Sequence, residues 1–334
     1  MQVSLFGFSN TGKSKSATAQ RRINCYYERV EETARGGLAI YGTPGLTLFT
    51  SFGESPVRGL HAKADFLYVV HNNVFWKVDS EGGHTQLGSL LTSSGRVSMA
   101  DNGLQLMVVD GTYGYIYDFG AETFEQIVDA DFPPAPAAVV FQDAYFIVNE
   151  GDTARFYVSD LYDGTAWNAA DVASAESNPD DLIAVFADHG ELILFGGVST
   201  EFWSNVGASD FPYVRIQGST AQWGLAAQWS VARYDNSVMF LAKNQMGEVI
   251  VAKMNGYTPQ RVSNFDLEHE LNSYNVLVDA VAYTYMLSGH PMYVISFPTE
   301  DKTWMYDGAS NLWSELKSDG IGRHRSDVCV PYLD

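Results

Sequence analysis

The feature that most constrains this chain is a recurrence. Between residues 57 and 316 one pattern of short strands comes back six times, over 57–90, 97–132, 136–177, 179–220, 221–264 and 279–316. In each group a first strand of small and β-branched residues leads through a turn into a more apolar second strand. A third, amphipathic strand follows, and often a fourth. Runs rich in Val, Ile, Leu, Tyr and Phe, set between Gly, Asp and Asn, read as strands and turns. The spacing predicts strands at 66–70, 74–78, 106–110, 113–117, 145–148, 156–159, 182–186, 192–195, 238–241, 248–252, 292–297 and 303–306. Helix is expected only at 266–271 and 169–177. A repeat of roughly 35 to 50 residues falls in the range of propeller blades, units that bury an apolar face only by stacking on neighbours. The expected fold class is all-β, a β-propeller with an extended N-terminal arm; a pair of β-sandwiches would give similar strands.

A smaller motif repeats inside the blades. The third strand ends in an aromatic-Asp pair, and a second aromatic returns six positions after the Asp. Tyr117-Asp118 is followed by Phe124, and Tyr306-Asp307 by Trp313. Tyr162-Asp163 with Trp167 is a shorter form. This reads as a hairpin of Kelch-type look, with Asp at the turn and Gly120 or Gly308 supplying an unusual φ.

Residues 1–56 differ and are expected to form an arm and closing strands, with the blades over 57–334. Lys13, Lys15, Arg21, Arg22, Arg29 and Arg35 give this segment six of the 20 basic residues in a chain with 40 acidic ones and a net charge of −20. Strands are expected there at 23–27 and 38–41. A strand from the far end of the chain often completes a propeller.

Composition narrows the function. Aromatic residues make up 13% of the 334, and charged residues 18%, which opposes disorder. The acidic balance opposes sequence-reading nucleic-acid binding, which favours a basic face. No apolar run approaches the ~18 residues of a membrane span, and Met1-Gln2-Val3-Ser4-Leu5-Phe6 lacks the pattern of a secretory signal. Cys25 and Cys329 have no metal-type spacing; two reduced thiols are expected, and a bridge between them is the alternative.

Gly7-Phe8-Ser9-Asn10-Thr11-Gly12-Lys13-Ser14 fits the phosphate-cradling loop G-x-x-x-x-G-K-S. That chemistry needs a helix after Lys13 and a parallel α/β sheet, and the chain has no βαβ alternation. His269-Glu270 has Ser273 where a zinc protease needs its second His. Asp266, Glu268 and Glu270 read as a solvated helix face rather than a Ca²⁺ site. SDLYDGTAW at 159–167 bears a loose likeness to the Asp-box of sialidase propellers, with different spacing. A glycosidase would need two carboxylates roughly 5 to 10 Å apart, with a perturbed pKa, at the axial mouth. No catalytic, cofactor or metal residue is expected.

Several segments resemble a known family. They are Ile23-Asn24-Cys25-Tyr26-Tyr27-Glu28, Tyr41-Gly42-Thr43-Pro44-Gly45, Val57-Arg58-Gly59-Leu60, Ala175-Glu176-Ser177-Asn178-Pro179-Asp180, Phe195-Gly196 and Thr200-Glu201-Phe202-Trp203. The longest runs from Gly289-His290-Pro291-Met292-Tyr293 to Thr299, then Thr303-Trp304-Met305-Tyr306-Asp307 and Leu312-Trp313. In this order, over 23–329, they resemble the packaged-DNA stabilisation proteins of short-tailed phages, also called tail hub, nozzle or head-completion proteins. The resemblance implies a non-enzymatic propeller, six copies in a ring below the portal and adaptor rings, lining the tail channel and helping to retain the genome until ejection. It implies as partners the adaptor and portal proteins, a tail needle, tailspikes or fibres, and double-stranded DNA passing without sequence-specific contact. The place is the virion, after assembly in the host cytoplasm. Family members continue beyond the point matching 325–329, so a further blade is expected to be cut short here. Lys13, Lys15, Arg21 and Arg22 are the expected assembly contacts, docking on an acidic neighbour. The alternative from another class is a propeller that processes or binds glycans.

Overall fold

The computed structural model describes residues 10–11, 19–29 and 38–332. Two compact units result: Leu48–Leu225 with Val328–Asp334, and Met1–Thr47 with Ala226–Asp327.

The first unit holds four antiparallel four-stranded blades in strict chain order. Their strands are Val57–Lys63, Phe66–His71, Val74–Val78 and His84–Ser89; Ser98–Asp101, Gln105–Val109, Gly114–Asp118 and Thr123–Gln126; Pro136–Gln142, Tyr145–Glu150, Arg155–Asp160 and Asp163–Ser174; then Leu182–Asp188, Glu191–Gly196, Thr200–Asn205 and Tyr213–Arg215. The second strand of each blade is covered on both faces, so it reads as an unbroken apolar run (FLYVV, LMVV, YFIV, LILF) rather than an alternating one. The two-residue period then assigns its side chains to different neighbours. Leu106 and Val108 pack with Tyr68, Val70 and Phe75 of the first blade. Met107 and Val109 pack with Phe146, Val148 and Trp167 of the third. Ile147, Phe156 and Val158 pack with Leu182, Leu192 and Leu194 of the fourth. First strands of successive blades lie against one another, and three of them carry a β-bulge near the start, at Val57/Gly59, Pro136/Ala138 and Leu182/Ala184.

The second unit holds a fifth blade, with strands Ala232–Arg233, Val238–Lys243, Val249–Asn255 and Thr258–Arg261, and a sixth, with Val281–Leu287, His290–Phe297, Lys302–Asp307 and Leu312–Glu315. Met239, Leu241, Val249 and Val251 face Tyr293, Ile295, Phe297, Trp304 and Trp313 across this pair. Between them runs the helix Phe265–Leu271, started by Asn264, whose side chain accepts from the Leu267 amide at 2.8 Å, and anchored by buried Leu267 and Leu271. Six consecutive antiparallel sheets, five of four strands and the fifth of five, make the fold class all-β, a β-propeller.

The six-bladed arrangement is the one the recurrence predicts. Two local expectations need correction. Residues 169–177 are not helical, since Asp163–Ser174 is the outer strand of the third blade, its residues 172–174 paired with Arg155–Tyr157. That pairing overrides the helix preference of the four alanines in 169–177. The unusual φ in the aromatic-Asp hairpins belongs to Glu122 (φ 53°) and Asn311 (φ 58°), not to Gly120 or Gly308. Asp118 holds its turn by accepting from the Gly120 and Ala121 amides, both at 2.8 Å. Gly308 is required for space, because a Cβ there would overlap the Tyr234 hydroxyl.

Candidate functional site

The polar side chains of this fold concentrate where blade meets blade and where the arm is seated. The arm contains a hairpin, Cys25–Arg29 with Leu38–Gly42. Just before it, Ile23 makes a parallel bridge to Glu315 on the outer strand of the sixth blade. The Asn24 amide donates to the Glu315 carbonyl at 2.9 Å. Asn24 stands at φ 56° and exchanges hydrogen bonds with the Lys317 backbone, donating at 3.0 Å and accepting at 2.8 Å. Tyr26 fills the second face of the sixth blade beside Met292, Val294 and Met305, its ring edge-on to His290 at 5.1 Å. His290 in turn meets both carboxylate oxygens of buried Asp307 at 3.0 Å.

Arg21 and Arg22, two of the expected assembly contacts, therefore have partners within the chain. Arg21 forks onto the buried Glu315 carboxylate, at 2.9 and 3.1 Å from Nε and 2.8 Å from Nη2. Arg22 is buried, with its guanidinium 4.4 Å from the Tyr27 ring centroid. Lys13 and Lys15 lie outside the described residues. So does most of the phosphate-loop match; its Asn10–Thr11 pairs as a short strand with Ala19–Gln20. Cys25 and Cys329 are both free thiols.

At the other end of the chain, Val330 and Tyr332 pack against the first blade beside Leu67, Val69 and Trp76. The Tyr332 hydroxyl donates to the Asp65 carbonyl at 2.8 Å.

Segments that carry the family resemblance turn out to hold the loops between blades. Arg58 is buried, and its guanidinium donates to the carbonyls of Asn72, Thr92, Ser94 and Gly95 and to the Thr92 hydroxyl, at 2.6 to 2.9 Å. This ties down the passage from the first blade to the second. Burial lowers the Arg58 pKa, and Asp110 opposes the shift. Thr92 Oγ1 also donates to Asp110 at 2.6 Å. The next residue is glycine because a Cβ at Gly59 would strike Val97. Glu201 does the same for the third-to-fourth passage: it accepts from the Ser177 amide at 2.6 Å and from Trp203 Nε1 at 2.8 Å. Asp180 accepts from the Val198 and Ser199 amides at 2.8 and 3.1 Å.

First strands are joined by a polar cluster. Asp101 of the second blade takes His61 Nε2 at 2.7 Å and Lys63 Nζ at 2.6 Å, both from the first blade. The His61 hydrogen bond first, and then that of Lys63, outweigh burial and hold the Asp101 carboxyl far below the usual carboxylate range. A depressed folded pKa stabilises the fold fully above the unfolded value of about 3.9, and the contribution fades as pH falls below it. Asp101→Asn is therefore expected to be less stable than the parent at pH 7, with the gap narrowing below about pH 4; paired urea titrations at pH 7 and 3 check this. Equal gaps at both pH values would contradict it.

The glycan alternative calls for paired carboxylates with a shifted pKa. One cleft of about 430 Å³ places Asp160 and Asp171 together with Ser159 and Tyr145. Burial first, and the Asp160 charge second, push the Asp171 carboxyl up. Asp171 lies on the outer strand of the third blade, not on the first strands where an axial mouth would be built.

The sequence pattern of a bacteriophage P22 Gp10 β-propeller family matches residues 5–330. This chain belongs to the P22 Gp10 β-propeller family. No curated protein sequence matches it. Among solved structures it is similar to the extracellular domain of a B. thetaiotaomicron protein described as a one component system, at 9% identity and a TM-score of 0.54, over 84% of this chain and 36% of that one. It therefore spans about a third of that structure's length. A chain of the Mitotic Checkpoint Complex matches at 12% identity and a TM-score of 0.46, over 75% of this chain and 74% of the other. The first likeness speaks to the fold alone. Membership in the Gp10 family makes this a phage structural protein, a component of the virion class associated with stabilising packaged DNA. No helix among the described residues is long and apolar enough to cross a membrane.

Proposed function

We propose that this chain is a non-enzymatic subunit of the tail nozzle or hub of a short-tailed phage. Six copies dock below the portal and adaptor rings, form part of the DNA channel and help retain the packaged genome until ejection. The observation that carries the reading is the Gp10 family match across residues 5–330. The charge supports it: with a net −20, a channel wall of this protein repels phosphate and avoids the salt-dependent sticking of Lys and Arg. Because Arg21 and Arg22 are engaged within the chain, Lys13 and Lys15 are the arm's better candidates for docking on an acidic neighbouring ring. Adaptor, needle and tailspike or fibre proteins are the proposed partners, and the assembled place is the virion, reached from the host cytoplasm. The test is a phage whose copy of this gene is interrupted. Its heads should fill with DNA and then lose it, becoming nuclease-sensitive, and should be rescued by the purified chain. Particles that keep their genome without the protein would overturn the retention role.

A further inference from the structure

One groove departs from the acidic character of the chain. It measures about 440 Å³, lies within the unit of the fifth and sixth blades, and is rimmed by Asp235, Lys253, Gln260, Arg261 and Asn311. Its lining thus carries two cations and one anion in a protein of net charge −20. The floor is fixed. Tyr234 and Tyr306 are buried with ring centroids 6.1 Å apart, and the Tyr234 hydroxyl is spent on the Pro291 carbonyl at 3.1 Å. Gly308, also in the lining, lets that hydroxyl lie against the backbone where a Cβ would otherwise stand.

The rim is rich in unspent donors. Lys253 Nζ gives one hydrogen bond to Asp235 at 2.8 Å and stands 5.3 Å from the Tyr234 ring centroid. Arg261 turns Nε toward Glu268 at 3.4 Å; its terminal nitrogens have no hydrogen-bond partner among the described residues. Asn311 accepts from the Tyr306 hydroxyl at 2.7 Å through Oδ1, which points its amide nitrogen elsewhere. The Gln260 amide is likewise without a partner among the described residues. Together these N–H groups outnumber the roughly four acceptor sites of a carboxylate, and they suit a group with three or more charged oxygens.

We propose that this groove binds a phosphate-type oxyanion, with Arg261 and Lys253 as its charged ligands and Gln260 and Asn311 as neutral donors. Asp235 works against the anion, and Lys253 offsets it. The proposal stands apart from the tail reading.

The test is calorimetric titration of the full chain with inorganic phosphate at an ionic strength held constant with chloride, and with acetate as the carboxylate arm. Saturable phosphate binding is expected, with acetate weaker. Lys253→Met or Arg261→Met should each weaken it about tenfold or more, the size of one lost charge-assisted hydrogen bond. Asp235→Asn should tighten it. Gln260→Ala, an exposed change, should weaken it less and serves as the control if Arg261→Met disturbs the Glu268 contact. No saturable heat, binding indifferent to all four substitutions, or acetate binding tighter than phosphate would each overturn the assignment.

Discussion

Arg58→Met is expected to destabilise the protein by about 3–5 kcal/mol, the range for removing a buried, fully hydrogen-bonded charged group. The arginine meets four carbonyls and one hydroxyl with no intervening space for water, and it is 3% exposed. Methionine fills the volume but leaves the carbonyls of Asn72, Thr92, Ser94 and Gly95 without that donor. Lysine would recover only part, because one ammonium cannot replace a five-donor planar fork. For a chain of this size the loss corresponds to a fall in melting temperature on the order of 10 °C. Differential scanning calorimetry reads it, and faster amide exchange in 91–96 locates it. A variant melting within two degrees or so of the parent, on the same scale, would show that the 91–96 loop is held by something else.

The second large effect is expected at Glu201. Its carboxylate is buried and accepts from the Ser177 amide and from the Trp203 indole, with Arg215 Nη1 3.8 Å away. Alanine would leave two donors without an acceptor, at about 1–3 kcal/mol each. A loss of about 2–4 kcal/mol in a urea titration is expected, with the Trp203 emission shifting as its indole N–H is released. Glutamine keeps one acceptor oxygen and should lose less than alanine does. If glutamine proved as damaging as alanine, the charge rather than the hydrogen-bond count would be what matters, and the present reading would need replacing.

The blades were legible because a strand covered on both faces must be apolar throughout. Runs such as Leu106-Met107-Val108-Val109 announce themselves without any knowledge of their neighbours. The arm was legible as a change in composition. What the sequence concealed were contacts between residues far apart in the chain. Glu315 is buried at the end of the strand LWSE, beside Trp313 and Ser314; that its partner is Arg21, 294 positions away, cannot be read from either neighbourhood. Arg58 and Glu201 were visible as pieces of a family-like pattern, but their work is to satisfy loop backbone that only the fold brings near. The turns failed differently. Glycine was expected to carry the left-handed φ in the aromatic-Asp hairpins, yet Glu122 and Asn311 take it, and Gly308 is glycine for want of room. Composition at 169–177 suggested helix, and the third strand of the same blade supplied an edge that outweighed it.

The most direct test of the central claim is a cryo-electron microscopy map of phage particles that contain this chain. The account predicts β-propeller density repeated six times around the tail axis, directly below the portal and adaptor rings, with DNA in the channel it surrounds. Intact tails without that density, or with it placed away from the channel, would contradict the account.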